Sequence, residues 1–397
     1  MVEAEGHLID SHLMERIFDT VVEYHGRFEV EQFRIGKTNA EPSYLRMKVE
    51  TDASEMPKLL STLLGLGCTP VDTGDAELEP VKRDRCAPED FHSTTNHRTL
   101  VRHNGAWIEV ANQRMDAVIV VSDHRASCRR LRDLRAGDLV VTGSRGIRVI
   151  PESKERDRLA FAFMSHEISS ERQVETAVRQ TAALMRAARA AGQKIIVVAG
   201  PVTVHTGGAK PLSSLIREGW VQALLAGNAL GVHDIEAALF GTSLGVRQSD
   251  GRQEEHGHRN HMRAINAIYR AGSIAQAVES GELKSGVMFE CVRAQVPFVL
   301  AGSLRDDGPL PDTIADMNRA QDAYAEQLKG AGLVLCLGSM LHSIAVGNML
   351  PSWVKIVCVD INPAVATKVS DRGTGQAVGV VTDVGLFLDL LAKELKG

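Results

Sequence analysis

The sequence predicts a mixed α/β chain made of three successive modules, the last of them built on a parallel sheet. Three observations carry that expectation. Near the start, period-two alternation flanks a helical run; in the middle, short strands follow one another with weak helical periodicity. From about residue 167 onward, helix-like blocks alternate with short β-branched runs. At 397 residues the chain also exceeds what one compact core accommodates.

In the first module, expected over residues 1–88, residues 13–26 form a short segment, and residues 28–33 and 44–50 alternate as strands do. A helix is expected over 53–66, stopped by Gly65 and Gly67, and Val71 opens another extended piece. This β-β-α-β order predicts a ferredoxin-like α+β module. The second module, 89–155, is expected to be small and β-rich, with strands at 107–110, 117–121, 139–142 and 147–149. Its polar stretch 94–105, with Asn96, His97 and Arg102, is expected to close over a cleft, and 151–158 reads as a linker. The third module, 156–397, has strand-like runs at 194–199, 297–301, 333–337, 354–359 and 377–381. Their near-continuous apolar character suits strands covered on both faces.

Composition excludes several classes. A net charge of -5, without charge blocks, argues against a nucleic-acid or membrane-surface partner. The first ten residues carry three acids and no apolar run, unlike a secretory signal, and no uninterrupted apolar stretch is long enough to span a bilayer. A cytoplasmic protein is expected. The six cysteines, Cys68, Cys86, Cys128, Cys291, Cys336 and Cys358, show no metal-ligand spacing and are expected to be inert. His256, His258 and His261 crowd the stretch 254–261, but their spacing reads as a solvated helix start, so no metal site is expected. The helix after it, 259–271, places Met262, Ile265, Ala267 and Ile268 at core spacing.

The strongest chemical signal is the segment 333–360, in which a buried strand ends at Gly338, a helix starts near Ser339, and the next strand ends in Asp360. Glycine lets a phosphate approach the backbone, and a helix N-terminus offers free N–H groups and a favourable dipole. Asp360, 22 positions after Gly338, stands where a carboxylate meets the adenosine ribose hydroxyls and disfavours the extra phosphate of NADP. The same acid can instead open a solvated turn, and the G-x-G-x-x-G fingerprint is absent. Asp383, after the run 377–381, is either a plain helix N-cap or a second ligand contact. Three further glycine-rich turns, 199–211, 226–236 and 301–312, carry His205, Thr206, Lys210, Asn228, His233, Asp234, Asp306 and Asp307. Their position at strand ends predicts a binding cleft.

At these loops the sequence becomes familiar. HTGGAKPLSSLIREGWVQALLAGNALGVHDIE resembles the NAD-dependent ornithine cyclodeaminases of archaeal type, and the C-terminal part of the cyanobacterial arginine dihydrolase/ornithine cyclodeaminase fusion. FDTVVEYHGRFEVEQFRIGKTNAEPSYLRMKVE resembles the conserved region named after lysine-oxoglutarate reductase/saccharopine dehydrogenase. The resemblance runs over essentially the whole chain, with no dihydrolase part. It implies a cofactor domain of deoxyhypusine synthase type and a homo-oligomer. NAD would be contacted by Asn228, Ala229, Asp307, Ser339, Met340, Leu341, His342, Asp360, Asp383 and Val384.

The implied reaction converts L-ornithine to L-proline and ammonia without net redox change: hydride leaves Cα for NAD, the δ-amine attacks the imine, ammonia departs, and hydride returns to the cyclic imine. Such chemistry needs a base, a cation for the carboxylate and an acid for the far amine. By residue type and loop position, His205 or His233 is the base, Lys210 or Arg305 pairs the carboxylate, and Asp234 or Glu236 holds the δ-ammonium. Two other readings stay open: an amine-oxidising transferase of deoxyhypusine synthase type, with Lys210 as nucleophile, and a non-catalytic NAD-binding regulator.

Overall fold

Alternation begins at the second residue, not at residue 28. Val2 and Ala4 are buried, while Glu3 and Glu5 point away from the core, and β1 (Val2–Gly6) results. The acids that mark this segment as polar are its outward face. The computed structural model describes residues 1–6, 8–9, 13–36, 41–71, 74–150, 170–243, 246–247, 258–306, 308–372 and 377–396. The expected linker at 151–158 lies outside them. The chain divides into two compact units, Met1–Asp157 with Asn348–Trp353, and Arg158–Gly347 with Val354–Gly397.

In the first unit β1 is followed by α1 (Leu13–Glu23), β2 (Arg27–Arg34), β3 (Ser43–Glu50), α2 (Met56–Gly65) and β4 (Thr69–Pro70). The strands form one antiparallel sheet in the order β2-β3-β1-β4. This is the ferredoxin-like arrangement, with Ile17, Val21, Leu45, Met47, Leu59 and Leu63 as its core.

A mixed seven-stranded sheet comes next, made by β5 (Glu77–Pro80), β6 (Arg98–His103), β7 (Ala106–Ala111), β8 (Val118–Ser122), β9 (Arg125–Arg129), β10 (Leu139–Thr142) and β11 (Ile147–Ile150). β5 pairs with β10, although it precedes residue 88, where the sequence placed the module boundary. The polar stretch 94–105 is largely strand β6, turned into β7 at Asn104 and Gly105, both with positive φ. Asn96 and His97 are buried in this unit, and Arg102 faces Asp75 at 3.7 Å.

The second unit runs α3 (Ser170–Ala190), β12 (Lys194–Ala199), α4 (Val202–His205), α5 (Ala209–Arg217), β13 (Ala223–Gly227), α6 (Asn228–Phe240), β14 (Thr242–Ser243), β15 (Val246–Arg247), α7 (His258–Ala271), α8 (Ile274–Glu279) and α9 (Val287–Arg293). It continues through β16 (Phe298–Ala301), β17 (Thr313–Ile314), α10 (Met317–Gln327), β18 (Ala331–Leu337), α11 (Met340–Met349), β19 (Lys355–Asp360), α12 (Pro363–Arg372), β20 (Ala377–Val381) and α13 (Val384–Lys396). Seven strands lie parallel in the order β17-β16-β13-β12-β18-β19-β20. Ile195 to Ala199 are all buried, as strands covered on both faces require. β13 was hidden in the sequence because its ALLAG run shades directly into a glycine-rich turn.

Chain order reverses between β12 and β18. From β12 the chain moves outward through β13 and β16 to β17; from β18 it moves the other way through β19 to β20. Loops leaving β12 and β18 therefore diverge and open a crevice beyond the carboxyl ends of the strands, the usual ligand position in open α/β sheets. Among the described residues no helix is long and apolar enough to cross a membrane. Five cysteines are buried and Cys86 is exposed; burial pushes the Cys68 and Cys336 thiols up to about 12, so neither ionises near neutrality.

Candidate functional site

The crevice is lined by backbone. Gly200, just past β12, donates its N–H to the Leu337 carbonyl at 2.8 Å, and a Cβ there would overlap the Gly338 carbonyl oxygen. Gly338 adopts φ +56, a left-handed turn that releases the chain from β18 into α11. Next to it, a Cβ on Gly227 would come within 3.0 Å of the His342 ring. Gly227 N-caps the 13-residue helix α6 without any side-chain cap, so the first N–H groups of α6 are presented at the strand tip. Large apolar side chains stand exposed at the strand tips: Val202, Leu304, Met340, Leu341, Ile361 and Val381. Close-packed glycine turns, an uncapped helix start and an apolar rim together suit a ligand with both phosphates and flat rings.

The cofactor candidates sit at this edge, each held differently. Asn228 Oδ1 accepts from the Leu310 N–H at 3.0 Å and the Thr313 hydroxyl at 2.9 Å, pinning the loop that follows β16. Ala229 is half-buried in the first turn of α6. Ser339 Oγ bonds His342 Nδ1 at 3.0 Å, and burial holds the His342 ring below the ordinary histidine pKa. Met340 and Leu341 are exposed. Asp360 ends β19, with Oδ1 accepting from the Asn362 N–H at 2.8 Å. Asp383 caps α13 through the Leu386 N–H at 2.8 Å, and Val384, the first residue of that helix, is buried. Asp307 lies outside the described residues.

A second group lies where α4, α6, β14 and α7 meet. The His205 and His233 rings pack edge-on with centroids 4.8 Å apart, and His233 and His261 are tilted at 5.1 Å. Glu236 is fully buried; its Oε2 is 3.4 Å from His233 Nδ1, and its Oε1 accepts from the Thr242 hydroxyl at 2.9 Å. Asn260 Nδ2 donates to that hydroxyl at 3.0 Å. The exposed His205 has its Nδ1 bonded to Ser243 Oγ at 2.7 Å. Desolvation, and then the neighbouring His233, lower the His205 pKa, outweighing the opposite pull of Glu236. A neutral imidazole with one nitrogen tied back and the other free can act as a base near pH 7.

Residues 179–391 match the family described as arginine dihydrolase ArgZ-like, C-terminal, Rossmann fold; 98–178 match its first region, and 1–97 the LOR/SDH bifunctional enzyme conserved region. The chain belongs to the ArgZ-like C-terminal family. It is 50% identical to the ornithine cyclodeaminase of Methanocaldococcus jannaschii, covering 100% of this chain and 96% of that protein. To the bifunctional arginine dihydrolase/ornithine cyclodeaminase AgrE of Nostoc it is 53% identical over its whole length, spanning 58% of that longer protein. AgrE has been solved as a ternary complex with ornithine and NAD+ (TM-score 0.55, 51% identity, 100% of this chain and 57% of that one). Apo ArgZ from cyanobacteria gives a TM-score of 0.87 at 47% identity, over 100% of this chain and 58% of that one.

Within this ArgZ-like domain the expected catalytic residues separate. His205, His233 and Glu236 come together; Asp234 and Lys210 do not join them. Asp234 is a correction: it faces the opposite side of α6, is buried, and accepts from the Val287 and Met288 N–H groups, both at 2.8 Å, capping α9. With both oxygens engaged it is a helix cap, not an amine ligand. Lys210 is exposed in the first turn of α5, and Arg305 is exposed in the loop after β16. Asp306 closes that same loop by accepting from the Ser303 N–H at 2.7 Å. His261 is the second correction. It turns inward, whereas the sequence suggested a solvated helix start; His256 is outside the described residues. The signal was present, because His261 extends the buried stripe Ala264, Ile265 and Ile268 by one turn. Thr242, Ser243 and Tyr324, whose hydroxyl donates to the Ala226 carbonyl at 2.8 Å, carried no sequence signal.

Proposed function

We propose that this chain is an NAD-dependent ornithine cyclodeaminase, converting L-ornithine to L-proline and ammonia. The observation that carries the reading is the reversal of strand order between β12 and β18, where Gly200 packs backbone to backbone against Gly338 beside the uncapped start of α6. The residues fit a dinucleotide: Asn228, Ala229, Ser339, Met340, Leu341 and His342 would hold its phosphates and one ring, Asp360 would meet the adenosine ribose, and Asp383 and Val384 would complete the set. When bound, NAD supplies a reversible two-electron acceptor, so the conversion needs no external oxidant.

The chain's own residues supply the proton chemistry. His205 takes the proton of the substrate α-ammonium at its Nε2, since Nδ1 is held by Ser243. His233 and Glu236 behind it fix the ring in place. The exposed cations Lys210 and Arg305 serve the substrate carboxylate, the guanidinium offering the better two-point grip. The reading includes a cytoplasmic homo-oligomer in arginine/ornithine metabolism that feeds proline biosynthesis. We further propose that its modules divide between β4 and β5 and near residue 155.

The test is proline and ammonia formation from L-ornithine by the purified protein, with and without NAD. Equal proline and ammonia, dependent on NAD and without accumulating NADH, is the expected result. NAD binding without ornithine turnover overturns the activity and leaves a dinucleotide-binding protein.

A further inference from the structure

Three donor atoms converge inside the second unit. His233 and Glu236 stand one turn apart on α6, a spacing that puts both on one helix face, and His261 meets them from α7. Nδ1 of His233 and Nδ1 of His261 lie 3.4 and 3.8 Å from the same oxygen, Glu236 Oε2. All three donor atoms fall within 4.8 Å of one another. Glu236 and His233 are buried, and His261 Nδ1 is shut off from solvent without a hydrogen-bond partner among the described residues. A sealed, unpartnered imidazole nitrogen is costly, and coordination to a cation satisfies it.

The surroundings are those of a built site. The other Glu236 oxygen is held by the Thr242 hydroxyl, which accepts from Asn260, whose Oδ1 in turn accepts from Arg263 Nη1 at 3.1 Å. Outer hydrogen bonds of this kind orient a metal-binding carboxylate.

We infer that His233 Nδ1, Glu236 Oε2 and His261 Nδ1 bind one divalent transition-metal ion, with zinc as the probe. Two imidazoles and one carboxylate are the donor set of borderline ions; calcium and magnesium prefer all-oxygen sites. The ion would bridge α6 to α7, balance the buried Glu236 carboxylate, and stiffen the His233 ring on which His205 leans. Its binding needs neither substrate nor dinucleotide, so the inference stands or falls separately from the proposed activity.

The experiment uses the full chain, loaded with zinc, desalted, and assayed for bound metal by plasma mass spectrometry. A cobalt-loaded sample is read in parallel by visible absorption. Stoichiometric zinc, strong d–d bands, and loss of both in Glu236→Gln and His261→Asn are expected. Should those variants fail to fold, the wild type still decides: stripping it with a chelator lowers its melting temperature, and zinc restores it. Wild-type protein that retains no more metal than the variants, or whose melting is indifferent to chelator and zinc, overturns the inference. So does metal-free wild type in which Glu236→Gln selectively abolishes ornithine binding, which makes the three acceptors a seat for an ammonium group.

Discussion

Gly200 and Gly338 meet where the sheet reverses its order, so closely that a side chain on Gly200 would occupy the place of the Gly338 carbonyl oxygen. Because the contact is with backbone, a methyl group cannot be absorbed by a rotamer change. Gly200→Ala is therefore expected to cost about 1–3 kcal/mol of stability by overpacking. It should also part the tips of β12 and β18 and weaken NAD binding by about tenfold or more, equivalent to ~1.4 kcal/mol. Urea melts and NAD titration check both; unchanged NAD affinity would remove this crevice as the dinucleotide seat.

Asn228 ties the start of α6 to the loop after β16 through Leu310 and Thr313. Asn228→Ala leaves the Leu310 N–H buried and unpaired, a loss of about 1–3 kcal/mol. NAD affinity should fall with it, while the stability of the first unit is untouched; hydrogen exchange should show loosening confined to residues near 308–314.

At the tip of β19, Asp360 offers one oxygen to Asn362 and, among the described residues, leaves the other free. A serine can keep the first bond and removes the charge. Asp360→Ser should lower the preference for NADH over NADPH by about tenfold or more, with stability altered by less than about 0.5 kcal/mol. Paired fluorescence titrations read the ratio, and an unchanged ratio would make Asp360 a turn residue only.

His205 is held below the ordinary histidine value of 6.5 by desolvation and by His233. As the proposed base it must be neutral, so activity should be lost as pH falls through that lowered pKa. The acid limb of kcat/KM is expected below pH 6.5 and absent in His205→Asn, which should retain only about 10⁻² to 10⁻⁴ of the rate. An acid limb that survives the substitution would assign it to another group.

Burial lifts Asp234 from 3.8 to about 6, against the pull of two backbone N–H donors. Between those values the folded chain keeps a proton that the unfolded chain has released, so folding binds protons. The associated stability is full below pH 3.8 and is lost as pH rises through about 6. Asp234→Asn cannot titrate. Wild-type stability relative to the variant should thus decline by on the order of 1–3 kcal/mol across this window and level off above it. Urea melts at several pH values test this; a pH-independent difference would mean that the carboxyl stays ionised.

Much of this architecture was legible in the chain itself. The ferredoxin-like module and the parallel sheet follow from period-two and βαβ patterning, since a strand must bury one face or both. The turn before Ser339 and the strand end at Asp360 were legible because a strand-glycine-helix unit and a strand-terminal acid have local signatures. Strands β1 and β6 are harder to read from sequence because their outward faces carry charge, although the Asn104-Gly105 turn marks the end of the second.

What the sequence by itself determined is the order of most elements and the family to which the chain belongs, both encoded in short-range pattern. Tertiary structure alone decided which groups share a site. Asp234 and Glu236 are two residues apart, yet the helix turns one to cap α9 and the other toward His233, Thr242 and the face of His261. The physical reason is that 3.6 residues per turn separates such neighbours by about 200°, and only the packing of α7 and α9 against α6 says what each side meets.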